Sequence, residues 1–148
     1  MSDFALEHFL PYRLSVAARR VSDGFAAHYR AEFGLSVAEW RVMAHLSQDE
    51  NVSVRDIHAR ADLEKSKASR AVSRLEAAGL VAKEAAKGDR RLLALSLTAK
   101  GRDVMAALIP GAEAYQAALT ARLSAEDRAA LDRILASFTE PTREKAAR

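Results

Sequence analysis

A mostly helical fold carrying one short β-hairpin is predicted by three observations. Alanine, leucine and arginine dominate the 148 residues, with glutamate frequent, while aromatics make up only 6%, and those side chains lose little rotamer freedom in a helix. Apolar residues recur at helical spacing along most of the chain. One stretch breaks that period: LVAKEAA and RRLLALSL are of strand length and are separated by KGD, a glycine-containing turn signal.

The elements follow in order. Pro11 opens a helix to about Glu32, with Leu14, Val16, Ala17, Val21, Phe25 and Tyr29 near helical spacing and Gly34 as its stop. Gly24 inside it costs about 1 kcal/mol relative to alanine, so this helix depends on packing. SVAEW reads as a capping box, Ser36 as N-cap and Glu39 three residues on, opening a helix to about Ser47. QDEN is a polar turn. In SVRD, Ser53 caps a short third helix that ends near Ala61, and Asp56 complements its positive start.

The next segment, DLEKSKASRAVSRLEAAGL, spaces Leu63, Ala68, Ala71, Val72, Leu75 and Leu80 for burial, with Gly79 as C-cap. At 100° per residue, the face opposite Ala68, Val72 and Leu75 carries Ser66, Arg70 and Ser73, flanked by Lys67 and Arg74. The hairpin comes next. Thr98 then caps a helix in which Pro110 and Gly111 are expected to cause a kink or interruption. Ser124 with Asp127 caps a last amphipathic helix bearing Leu131, Ile134, Leu135 and Phe138, and the tail EPTREKAAR is expected to fray.

Composition narrows the function classes. The chain is long enough for one compact domain, and 49% hydrophobic with 29% charged residues is the balance of a globular protein. Absence of cysteine excludes disulfides, iron–sulfur clusters and thiol redox sensing. The start has no basic region followed by an uninterrupted apolar stretch, and no run approaches the roughly 20 apolar residues of a membrane span. A cytoplasmic protein with no membrane partner is expected. The formal charge is only +3, but Ser53 to Arg91 holds ten Lys and Arg against six Asp and Glu, so the excess sits in the middle of the chain. Such a segment fits a nucleic-acid contact, although a solvated helix face has the same signature.

The order of helix, helix, short helix, donor-faced helix and charged hairpin is the layout of a winged helix-turn-helix. In that arrangement the donor-faced helix enters the major groove and the hairpin reaches along the backbone. Arg and Lys neutralise phosphates, Arg reads guanine bidentately, and serine hydroxyls serve either role. Asp89 is informative, because a carboxylate beside DNA is unfavourable unless it orients an arginine, either Arg91 or one on the preceding helix.

GLSVAEWRVMAHL, SRAVSRLEAAGLV, GDRR and LSLTAKG resemble the successive signature segments of the MarR (multiple antibiotic resistance regulator) family, in order and over nearly the full chain. The resemblance implies a single domain over residues 1–148. Its DNA-binding lobe would be 36–97, and dimerisation helices would occupy 4–33 and 98–140. It also implies a homodimer that binds double-stranded DNA, usually as a repressor relieved by a small phenolic or anionic ligand. Carried over by position, the recognition helix is Glu64 to Ala78, with Lys65, Ser66, Lys67, Ser69, Arg70, Ser73 and Arg74 facing DNA. The wing is Val81 to Leu97, with Lys87, Arg90 and Arg91 at its tip. The family's redox branch needs a cysteine near the chain start, and its zinc-sensing branch needs histidines after the wing. Neither is present, so no cofactor or metal is expected.

Other residues carry weaker signals. Trp40 could floor a ligand pocket, but a lone tryptophan at an apolar position is first a core residue. From family geometry, Tyr12, Arg13, Trp40, Arg41 and His45 are candidates for an effector pocket, where Arg13 could pair with a carboxylate. His8, His28, His45 and His58 lack metal-ligand spacing, and no phosphate loop, nucleophile elbow or paired carboxylates point to catalysis. The chain therefore reads as a DNA-binding transcriptional regulator and not an enzyme. The alternatives are a winged-helix protein-interaction module without an operator and, more remotely, a ligand-binding enzyme in a dimer cleft.

Overall fold

The computed structural model describes residues 2–49, 51–86 and 88–140, with the side chains of Ala86, Asp89 and Arg90 outside that description. After a 3-10 turn at Leu6–His8 come α1 (Leu10–Phe33), α2 (Val37–Gln48), β1 (Val52–Ser53), α3 (Ile57–Arg60), α4 (Lys65–Ala77), β2 (Val81–Ala86), β3 (Asp89–Leu97), α5 (Ala99–Thr120) and α6 (Ala125–Thr139). The chain divides into two compact units, Met1–Gly111 and Ala112–Arg148.

In the first unit the local signals hold. Gly34 closes α1 in the left-handed conformation at φ 65, its amide donating to the Arg30 carbonyl. The capping box of α2 is complete: the Ser36 amide donates to Glu39 Oε2 at 2.7 Å, and the Glu39 amide donates to Ser36 Oγ at 3.1 Å. Gly79 ends α4 at φ 73, a conformation that leaves a side chain strained. The core forms where the apolar faces meet, with Tyr29, Val42, Met43, Ile57, Val72, Leu75 and Leu95 all fully buried. Phe25 and Tyr29 of α1 meet Trp40 of α2 in an aromatic cluster with ring centroids 5.2 to 5.6 Å apart.

The structure corrects two expectations and narrows a third. The sheet has three strands in the order β1-β3-β2, because Val52 and Ser53 add an antiparallel edge by pairing with Leu95 and Ala94. Two residues are too few to show a period of two, yet Val52 is buried. Ser53 therefore lies in a strand. Its hydroxyl still accepts from the Asp56 amide at 3.1 Å, but the N-cap of α3 is Asp56. Third, of the kink or interruption expected at Pro110, the interruption does not occur: α5 runs from Ala99 to Thr120 with Pro110 inside it. The alanine- and leucine-rich flanks of Pro110 favour a helix enough to absorb the missing donor.

In the second unit Ser124 Oγ accepts from the Asp127 amide at 3.0 Å, and Arg128 Nε donates to the Thr120 carbonyl, bracing the turn between the end of α5 and α6. No residue of α6 is buried. Leu131, Ile134, Leu135 and Phe138 are 43 to 54% exposed. Among the described residues no helix is long and apolar enough to cross a membrane. Glu50 in the polar turn and the tail beyond Glu140 lie outside the described residues.

Candidate nucleic-acid interface

Helix α4 is built with two chemically distinct faces. Ala68, Ala71, Val72 and Leu75 are buried, packing it chiefly on α2, with α3 and β2 beside it. Lys65, Ser66, Lys67, Ser69, Arg70, Ser73 and Arg74 are all exposed. The seven residues assigned to DNA contact thus share the solvent side of one helix. Among the described residues, none of Lys65, Lys67, Arg70 and Arg74 has a carboxylate within ion-pair distance. Unpaired cations on a rigid helix keep their charge available to an outside anion.

Two shallow hollows flank this helix. One, of about 200 Å³, lies against the start of α2 and is lined by Ser36, Ala38, Glu39, Lys67, Arg70, Ala71 and Arg74. The other, of about 210 Å³, has Val54, Ile57, Ala68 and Val72 on its floor and Arg55, His58, Lys65 and Ser69 around it. Arg55 and His58 were not among the sequence candidates. Their proximity to Lys65 and Ser69 depends on the β1–α3 turn, for which the sequence carries only a serine cap signal.

The turn between α3 and α4 is held from behind. Asp62 adopts φ 52, which few residues other than glycine, asparagine and aspartate tolerate. The Leu63 amide donates to the His58 carbonyl at 2.8 Å, and Arg41 Nη1 donates to the Asp62 carbonyl at 3.4 Å. Arg60 of α3 pairs with Asp49 at the end of α2.

The wing is the β2–β3 hairpin. Its base closes at Val81↔Leu97 and pairing is regular to Ala85↔Leu93, after which Ala86 pairs with Asp89 across a register shift. Arg90 and Arg91 therefore enter β3 at the irregular end of the hairpin, beside Gly88 at φ 93. Arg91 is exposed. Lys87 and the side chains of Asp89 and Arg90 lie outside the described residues, and with them the orienting role expected of Asp89.

The effector candidates fall into two groups. Tyr12 and Arg13 line an open hollow of about 530 Å³ along α1, together with Glu7, Val16, Ala17, Arg20 and Val21. Trp40, Arg41 and His45 sit on α2, all half-buried, with Trp40 stacked on Tyr29 as the core reading expects. No described cavity joins the two groups. A separate hollow of about 460 Å³ lies between the end of α2, the wing base and α5, with Glu84, Ser96 and Arg102 in its lining and none of the five candidates.

Residues 33–92, the segment that contains α2, α3, α4 and most of the wing, match the MarR family model. A MarR-family transcriptional regulator from Silicibacter pomeroyi is 26% identical, with 99% of each chain covered and a TM-score of 0.77. The helix-turn-helix and wing segment is that of the MarR family. Two other solved MarR-like folds superpose over most of this chain. Bordetella bronchiseptica BpsR is 21% identical over 95% of this chain and 99% of its own, with a TM-score of 0.83. Its DNA binding is regulated by 6-hydroxynicotinic acid. Streptomyces coelicolor PcaV, solved with its natural ligand, is 21% identical over 93% and 96% of the two chains, with a TM-score of 0.74. A comparison with curated proteins finds no match.

Proposed function

We propose that this chain is a MarR-family homodimeric repressor that reads a pseudo-palindromic operator and releases it on binding a small aromatic or anionic ligand. The observation that carries DNA binding is the exposed face of α4. Four cations without described ion-pair partners and three serines share it, on a helix whose opposite side is fully packed. In a winged helix-turn-helix that face enters the major groove. Arg70, central on the face, is then the residue placed to read bases. Lys65, Lys67 and Arg74 at its margins serve phosphates, as do Lys87, Arg90 and Arg91 on the wing.

Two such helices in a dimer must lie about 34 to 36 Å apart to meet successive major-groove half-sites. The exposed apolar residues of α6, and Leu10, Leu14 and Val21 on α1, supply surface for the association. A ligand that prefers another spacing of the lobes lowers DNA affinity by its differential binding. The hollow at Tyr12 and Arg13 supports a seat for an anionic ligand, with Arg13 pairing a carboxylate.

Selection of random-sequence DNA by the purified protein at near-physiological salt tests this reading. An enriched inverted repeat with half-sites one turn apart supports it. A folded protein that enriches nothing, and whose DNA affinity is only the 10⁻⁴ to 10⁻⁶ M typical of non-specific binding, overturns it in favour of a protein-interaction module.

A further inference from the structure

The C-terminus of α4 and the start of α5 are fastened together by donors from Thr98, just before α5, and Lys100 in its first turn. Three consecutive carbonyls follow α4, those of Ala78, Gly79 and Leu80. Lys100 Nζ donates to the first at 3.0 Å, Thr98 Oγ1 to the second at 2.6 Å, and the Thr98 amide to the third at 3.0 Å. The same Thr98 hydroxyl accepts from the Gly101 amide at 3.0 Å, so a single oxygen both caps α5 and holds the exit of α4. Gly101 completes the contact: a Cβ there would collide with the Leu80 carbonyl oxygen and crowd Leu97 Cδ2 at 3.3 Å.

Hydrogen bonding alone does not demand this arrangement. Ala78 and Gly79 are exposed, and water can satisfy carbonyls at an exposed helix end. What the three bonds and the packed glycine add is orientation. Between the two helices runs the hairpin, whose base is closed by Val81↔Leu97, and a hairpin base alone leaves the flanking helices free to swing. A helix of this length spans about 20 Å, so a tilt of about 5° at its C-terminal end displaces the Lys65 end by roughly 1.7 Å. Binding groups must be held to within about 0.5 Å to keep their geometry.

We propose that Thr98, Lys100 and Gly101 form a rigid joint that sets the angle of α4 against α5, and that Lys100 is a positioning residue for operator recognition without touching DNA. The Lys100 ammonium also lies at the negative end of the α4 dipole, which favours its place there. A displacement of the start of α5 is carried into α4 through this joint.

The inference rests on the DNA-binding reading above, and its test separates the two. In the full chain, Lys100→Met removes the donor and keeps the stem, Lys100→Arg restores a donor, and Thr98→Val removes the hydroxyl at nearly constant shape. Binding is measured on a selected operator and on a scrambled duplex over a range of salt, alongside amide exchange at 78–80 and 98–102. The expected result for Lys100→Met is an operator affinity lowered about tenfold, a scrambled-duplex affinity changed by less than about twofold, and an unchanged salt slope, with Lys100→Arg recovering most of the loss. Equal losses on both duplexes with a slope reduced by about 0.9 make Lys100 a phosphate contact and overturn the proposal, as does unaltered operator affinity. If the wild-type chain shows no operator preference, the regulator reading has failed and amide exchange decides the joint by itself. Faster exchange in both segments of Lys100→Met and Thr98→Val supports it, and a change confined to one segment overturns it.

Discussion

Trp40 of α2 lies stacked on Tyr29 of α1, with ring centroids 5.6 Å apart and planes 20° from parallel. Phe25 meets both rings edge-on. This cluster fastens the long first helix to the helix-turn-helix, and it places a phenol in the core with only 1% of its surface exposed.

Burial raises the Tyr29 hydroxyl pKa above its ordinary 10.0, against smaller opposing pulls from Arg30 and Arg41. The unfolded chain releases this proton near pH 10, whereas the folded chain holds it to higher pH. The contribution to stability is therefore complete below about pH 10 and is lost as pH rises through the folded pKa. Urea unfolding from neutral to alkaline pH should show this decline, and Tyr29→Phe should lack that part of it. An identical alkaline decline in Tyr29→Phe assigns the effect to other groups.

Ser36 and Glu39 satisfy each other's amides at the start of α2, and Glu39 is the only buried charged side chain among the described residues. Ser36→Ala should cost about 1 kcal/mol, read as a lower urea midpoint at constant slope. Ser36→Asp keeps an acceptor and should recover most of it. A Ser36→Ala chain as stable as the parent would mean that water replaces the cap.

These caps show why so much of the fold was legible. Ser36, Gly34, Gly79 and Ser124 act through their nearest neighbours in sequence, so their signals are local, and the two faces of α4 follow from helical spacing alone. What escaped depends on distance along the chain. Val52 becomes a strand residue because Leu95 lies beside it. Thr98 reads as a simple N-cap, but its bond to Gly79 spans nineteen residues and that of Lys100 to Ala78 spans twenty-two. Arg55 and His58 gain their position next to Lys65 only through the β1–α3 turn. The effector candidates came from family geometry, and within one chain they remain on separate helices.

Base reading and phosphate contact should separate in the arginine variants. Arg90→Ala or Arg91→Ala should weaken binding to all duplexes alike and reduce the salt slope by about 0.9 each. Arg70→Ala should weaken the operator and also change which sequence is enriched, since a lost bidentate base contact is worth about 1 to 3 kcal/mol of discrimination. Selection repeated with each variant reads both quantities. Unchanged affinity in both wing variants removes the wing from the interface, and an unchanged enriched sequence for Arg70→Ala makes that residue a phosphate contact.

Leu131, Ile134, Leu135 and Phe138 recur at three- and four-residue intervals and so share one face of α6, where they remain 43 to 54% exposed. Four large apolar side chains gathered on one face mark a surface that association covers. A second copy of this chain is the occupant that the two-half-site reading requires. A charge placed there must be buried unpaired when the surface closes, at a cost of several kcal/mol. Ile134→Glu should therefore convert a dimer to a monomer in sedimentation velocity, with helix content retained in circular dichroism. Operator affinity should fall in parallel, because a single lobe meets only one half-site. A parent chain that sediments as a monomer at concentrations that saturate the operator, or an Ile134→Glu chain that stays dimeric, removes α6 from the assembly.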